Sequence, residues 1–127
     1  MSYPMLEERA LPPVERRGLW RPLWRDPAGL PPLPAGAVYV FEYDGRYRDP
    51  YARRVNGSEP HVIDATAVCL VEIRDRRISV HRAMASARPG IDLLLSVTFR
   101  CSVTNPAAVA QAGISDLETM LAAHVAA

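Results

Sequence analysis

Hydrophobic and polar positions alternate most plainly near the end of the third quarter of the chain. Leu93, Leu95, Val97, Phe99, Cys101 and Val103 fall on one face, and Asp92, Ser96, Thr98, Arg100 and Ser102 fall on the other, with Leu94 the exception. A period of two marks a strand with one buried face, so residues 91–103 are expected to be a strand. The run Ala37–Tyr43 is β-branched and aromatic, and Asp44-Gly45 follows it. Asp-Gly after such a run signals a hairpin turn, with a return strand starting at Arg46 and stopped by Pro50. Residues 61–73 are rich in Val, Ile, Thr and Ala, Arg74-Asp75-Arg76 is polar, and residues 77–81 alternate again. This predicts a strand pair across a polar turn. Loops are expected at residues 56–60 and 88–90, where Asn, Gly, Ser and Pro gather.

The end of the chain switches to helical signals. Asn105-Pro106 supplies an N-cap and a proline at the first helical position, and Gly113 is a natural stop, which predicts a short helix over residues 106–112. Ser115-Asp116-Leu117-Glu118 reads as a capping box that opens a second helix. Leu117, Met120, Leu121 and Val125 make an apolar stripe along that helix. The expected fold is α+β: a curved, mostly antiparallel sheet with two C-terminal helices on one face.

The first quarter behaves differently. Eight of the 12 prolines lie within residues 1–34. Each removes a backbone donor and pushes its predecessor toward extended geometry. Residues 1–36 therefore read as a Pro-rich N-terminal arm, extended and lying outside the body, and residues 37–127 as the folded domain.

Composition narrows the function. The chain has 127 residues, 15 basic and 14 acidic side chains, and 49 % hydrophobic residues. One domain is expected, and the balanced charge argues against a general nucleic-acid binder. All the basic residues are Arg, which reads as codon usage rather than chemistry. Cys69 and Cys101 are far apart, so neither a zinc site nor a disulfide framework is suggested, and a reducing cytoplasm is the simplest setting. No secretory leader or membrane-spanning run is evident. The chain reads as soluble, with peripheral contact on the inner face of a membrane kept open.

The order of hairpin, strands, capped short helix, glycine break and second helix resembles the SPFH or band 7 domain of stomatins, prohibitins and flotillins. The most specific stretch is Ser96-Val-Thr-Phe-Arg-Cys-Ser-Val-Thr-Asn-Pro-Ala-Ala-Val109, which is similar to the family's strand running into "T/S-D-P" and a short helix. Asn105 stands here where the family usually has Asp. Gly113 to Leu121, Val71 to Val80 and Val38 to Tyr47 are similar to further family segments, so the resemblance spans roughly residues 36–127. It implies a non-enzymatic scaffold that self-associates and organises a membrane surface or a protein partner. The alternative is a soluble adaptor that docks another protein through the arm or a sheet edge.

Candidate chemistry is sparse. His61, Asp64 and His81 are the only constellation worth testing as a catalytic or metal site. Residues three apart on a strand point to opposite faces, so the expectation is no catalytic residue and no metal. No nucleotide-binding or nucleophile-elbow motif occurs, which leaves no cofactor and no small-molecule substrate expected. The most pointed feature is Arg16, Arg17, Leu19, Trp20, Arg21, Leu23, Trp24 and Arg25, which join both tryptophans to four arginines and no acid. Such a segment suits anionic-membrane contact or a partner interface, or it covers an apolar groove on its own body. The stripe Leu117, Met120, Leu121 and Val125 suits core packing on the sheet, with a partner-helix seam as the alternative. A homo-oligomer or protein partner is expected.

Overall fold

The computed structural model describes residues 2–14, 23–48 and 55–126. In chain order these form β1 (Met5–Ala10), β2 (Ala37–Tyr43), β3 (Arg46–Tyr47), α1 (Pro60–Ile63), β4 (Ala67–Glu72), β5 (Arg76–Ala85), β6 (Asp92–Cys101), α2 (Pro106–Ala112) and α3 (Leu117–Ala126). The class is α+β, and these strands pair antiparallel. The strands divide between a four-stranded sheet, ordered β1-β4-β2-β3, and a two-stranded ribbon of β5 and β6.

The two central strands of the larger sheet are buried on both faces, which is why their apolar runs are continuous rather than alternating. Tyr39, Phe41, Val68 and Leu70 face one core, with Leu11, Leu30, Val55, Val62 and Ala65 over them. Val38, Val40, Cys69 and Val71 face a second core, closed by Met5 and by Ala110 of α2. A third core joins Tyr3 to Ile78 and Val80 of the ribbon, with Leu117, Leu121, Ala122 and Val125 of α3 packed on them. Each C-terminal helix thus has its own sheet: α2 lies on the larger one and α3 on β5.

The described residues of the first quarter are not an arm outside the body. Residues 5–10 are the edge strand β1, paired with β4 from Ala10↔Ala67 to Met5↔Val71. Leu30 and Pro31 are core residues, and the Tyr39 hydroxyl donates to the Pro31 carbonyl at 2.5 Å. Prolines bracket β1 without entering it, and Glu7, Glu8 and Arg9 are tolerable because an edge strand keeps one side in solvent.

Tyr3 locks this end of the chain in place. Its side chain is fully buried, its hydroxyl donates to the Arg74 carbonyl at 3.1 Å, and its backbone bonds to Ser115 and Leu117 at 3.0 Å each. The Arg76 guanidinium lies 5.2 Å from the centre of its ring.

Several local expectations are met. The β2–β3 hairpin turns at Asp44 (φ 48°) and Gly45 (φ 87°), where a positive φ favours Gly and tolerates Asp. Asn105 caps α2 by accepting from the Ala108 amide at 3.1 Å, and Gly113 ends it in the left-handed region.

Other expectations are corrected. Residues 60–63 form a helical turn rather than strand, with Pro60 in its first turn. β4 and β5 are not a pair, because Arg74-Asp75-Arg76 carries the chain from one sheet to the other. Glu72 and Arg76 span that crossing with a two-pronged ion pair, at 2.8 and 3.0 Å. The cap of α3 is Asp116, not Ser115. Its carboxylate accepts from the Thr119 amide at 3.1 Å and from the Thr119 hydroxyl at 2.7 Å. These bonds hold the Asp116 carboxyl below its ordinary pKa.

Candidate interaction surface

The β5–β6 ribbon, with its connecting loop, carries most of the exposed large hydrophobic side chains among the described residues. Its register sets Ile78 opposite Phe99, Val80 opposite Val97, Arg82 opposite Leu95 and Met84 opposite Leu93. Directly opposed residues share a face, so these eight side chains form one strip. Near the body, α3 covers it, and Ile78 and Val80 are buried. At the far end of the helix, Arg82 Nη1 donates to the Val125 carbonyl at 2.9 Å. Beyond that bond the strip continues with nothing over it among the described residues.

Met84 is 43 % exposed, Leu93 57 % and Leu95 39 %, with Ile91 and Leu94 exposed beside them. Among the described residues, five of the eight exposed large hydrophobic side chains fall between Met84 and Leu95. Singly exposed apolar residues are ordinary, but Met84, Leu93 and Leu95 adjoin on one face, with Leu94 on the other, and such a group marks an interaction surface. The alternation in β6 was legible in the sequence. The coverage was not, because an alternating strand looks the same whether its apolar face is buried along all of its length or only half.

The apolar stripe of α3 resolves residue by residue. Leu117, Leu121 and Val125 pack on the ribbon, joined by Ala122. Met120 points away and is 51 % exposed. Three of the four expected positions are therefore core contacts, and Met120 is not.

In the Arg/Trp segment, Arg16, Arg17, Leu19, Trp20 and Arg21 lie outside the described residues. Leu23 is half-buried and Trp24 is largely exposed. Arg25 corrects the expectation of a membrane or partner contact, because it is buried. Its Nε donates to the Val62 carbonyl at 2.8 Å. Nη1 reaches Pro12 at 2.9 Å, and Nη2 reaches Ile63 at 2.9 Å and Ala65 at 3.0 Å. One guanidinium thus satisfies the open carbonyls around the end of α1 and ties them to the segment after β1. Burial pushes its pKa down from the ordinary value. No local sequence pattern announces this role, since all four acceptors are backbone groups distant in the chain.

The backbone beside Trp24 is equally close-fitted. A Cβ at Gly57 would lie 2.0 Å from the Arg25 carbonyl oxygen and 2.6 Å from Trp24 Nε1. The Arg25 amide in turn donates to the Gly57 carbonyl at 2.9 Å. Gly57 is what lets this loop approach.

The possible catalytic or metal residues do not converge. His61 sits on α1 with its Nε2 3.1 Å from a Glu59 carboxylate oxygen, Asp64 follows that helix, and His81 is exposed in the middle of β5. Among the described residues, no three His, Cys, Asp or Glu side chains are grouped to hold a metal ion. Burial and the neighbouring Glu8 and Glu42 push the Cys69 thiol up to about 12, so it stays protonated and a poor nucleophile near neutrality. A cavity of about 360 Å³ is lined by Pro27, Leu30, Leu33, Tyr39 and Val55. Its one side-chain polar group, the Tyr39 hydroxyl, is already engaged with Pro31.

Among the described residues, no helix is long and apolar enough to cross a membrane. Comparison with protein-family models, with curated proteins and with solved structures finds no match for this chain.

Proposed function

We propose that this chain is a non-enzymatic, SPFH-like scaffold that self-associates and organises a membrane surface or a protein partner. The observation that carries the reading is the β5–β6 strip, whose outer half, past the Arg82–Val125 bond, is exposed among the described residues. An apolar surface of this kind on a projecting ribbon is suited to contact rather than to chemistry. Further support comes from the strand, Asn105-Pro106 cap, short helix and Gly113 break that carry the family resemblance.

Size-exclusion chromatography with light scattering tests self-association. Flotation with vesicles of phosphatidylcholine, with and without phosphatidylserine, tests the membrane role. Association is expected in at least one assay, weakened by Leu93→Ser with Leu95→Ser. A strict monomer that ignores both vesicles overturns the scaffold reading. One observation favours the soluble-adaptor alternative: Trp24 stands exposed on a segment anchored by Arg25. Protein binding that Trp24→Ala abolishes and the leucine variant spares would favour that alternative.

A further inference from the structure

β6 is an open edge. Among the described residues its sole strand partner is β5, and no turn, loop or cap bond reaches its backbone between Leu93 and Arg100. The other strand edges carry protection. β1 has Glu7, Glu8 and Arg9 and an irregularity between Met5 and Glu7, β3 is two residues long, and β5 bears Arg76, Arg77, His81 and Arg82. Such charges, bulges and short lengths keep an edge from pairing with another chain. By contrast, Leu93-Leu-Leu-Ser-Val-Thr-Phe99 holds no charge, proline or glycine. A bare strand of that composition aggregates unless something covers it.

We propose that the occupant is a second copy of this chain, with β6 pairing antiparallel to β6 about a two-fold axis at Ser96. The strand's own charges select this partner and this register. Its two charged residues, Asp92 and Arg100, stand toward opposite ends and equally far from Ser96. Antiparallel pairing centred there sets each Asp92 against Arg100 of the other copy, whereas parallel in-register pairing would set like on like. The same register places Leu93 opposite Phe99 and Leu95 opposite Val97 on the apolar face, so the strip runs on across the axis. Arg100 is available for this contact: its side chain is 76 % exposed and its Asp75 partner is 3.7 Å away. The product is a four-stranded ribbon with the arginine-bearing β5 strands outermost, so assembly closes at two copies.

The proposal rests on the self-association part of the function proposed above and specifies its contact. It is tested with the full chain by light scattering over a dilution series, alongside thiol cross-linking. The wild type is expected to be a dimer. Asp92→Arg and Arg100→Asp should each weaken it by about tenfold or more, since each breaks both cross-pairs and opposes like charges. The double exchange should restore it. Ser96→Cys, which faces itself across the axis, should form a covalent dimer on mild oxidation. Thr98→Cys should not, because this register separates the two thiols by about 13 Å along the strands. A wild-type monomer overturns both this contact and the self-association reading. An oligomer that neither charge variant weakens, or in which Thr98→Cys cross-links as readily as Ser96→Cys, overturns the contact alone.

Discussion

Replacing Arg25 with Ala tests the packing logic of the molecule more severely than any surface change. Four backbone carbonyls lose their shared donor, and two of those bonds, to Val62 and Ala65, are fully buried. A buried acceptor stripped of its partner costs about 1–3 kcal/mol. The bonds to Pro12 and Ile63 are only part-buried, so water replaces much of what they supplied. Removing the cation also removes its own desolvation cost. The balance falls near 3–4 kcal/mol, within the range for taking one side of a buried charged contact. In a domain of this size that corresponds to a drop of roughly 10–15 °C in Tm. Arg25→Lys should lie about halfway, because an ammonium cannot fork toward carbonyls in several directions. Urea unfolding followed by circular dichroism reads both values. If Arg25→Ala unfolds within about 1 kcal/mol of wild type, the carbonyls are hydrated without the guanidinium and Arg25 does not hold this region together.

Tyr3→Phe keeps the ring and deletes the hydroxyl that donates to the Arg74 carbonyl, so a loss of about 1–2 kcal/mol in urea unfolding is expected. Gly57→Ala should be worse than an ordinary loop substitution, because the added Cβ meets a backbone oxygen rather than a movable side chain. A drop of about 1–3 kcal/mol would show this, and a neutral result would refute the close fit. Asn105→Ala removes the α2 cap and should cost about 1 kcal/mol by the same assay. The Cys69 thiol ionises near 9.0 when unfolded but only at about 12 when folded. Above the lower value the unfolded chain has released a proton that the folded one retains, so stability falls as pH rises from about 9 toward about 12. Cys69→Ala should flatten that decline in alkaline melts, and an unchanged slope would exclude the thiol as a contributor.

What could be read from the sequence was local. Asp44-Gly45, Asn105-Pro106 and Gly113 dictate backbone geometry by their own chemistry, and the hairpin and α2 follow from them. The alternation of β6 is local in the same sense. What could not be read was which segments meet. β1 reads as proline-flanked and charged because it is an edge strand, and only its pairing with β4, some sixty residues later, makes it a strand. Arg74-Asp75-Arg76 signals a change of direction but not whether the chain returns to its neighbour or leaves for another sheet. Of the contact surface, the apolar residues of β6 were visible. Their exposure depends on which part of the ribbon α3 packs against, and Arg25 became structural only through carbonyls that no side-chain pattern reveals.

The seating of Tyr3 against Arg74, Ser115 and Leu117 has a consequence for how the chain acquires its structure during synthesis. The first strand finds its partner only after β4 has emerged, and Tyr3 finds its last contacts only when the start of α3 has been made. Contacts of such long sequence separation are slow to form and come late. Residues 5–10 therefore wait unpaired until β4 is made, and Tyr3 waits longer, until residues 115–117 have followed. Ribosome-bound chains arrested before residue 115 should remain protease-sensitive around Tyr3, and longer ones should become resistant there.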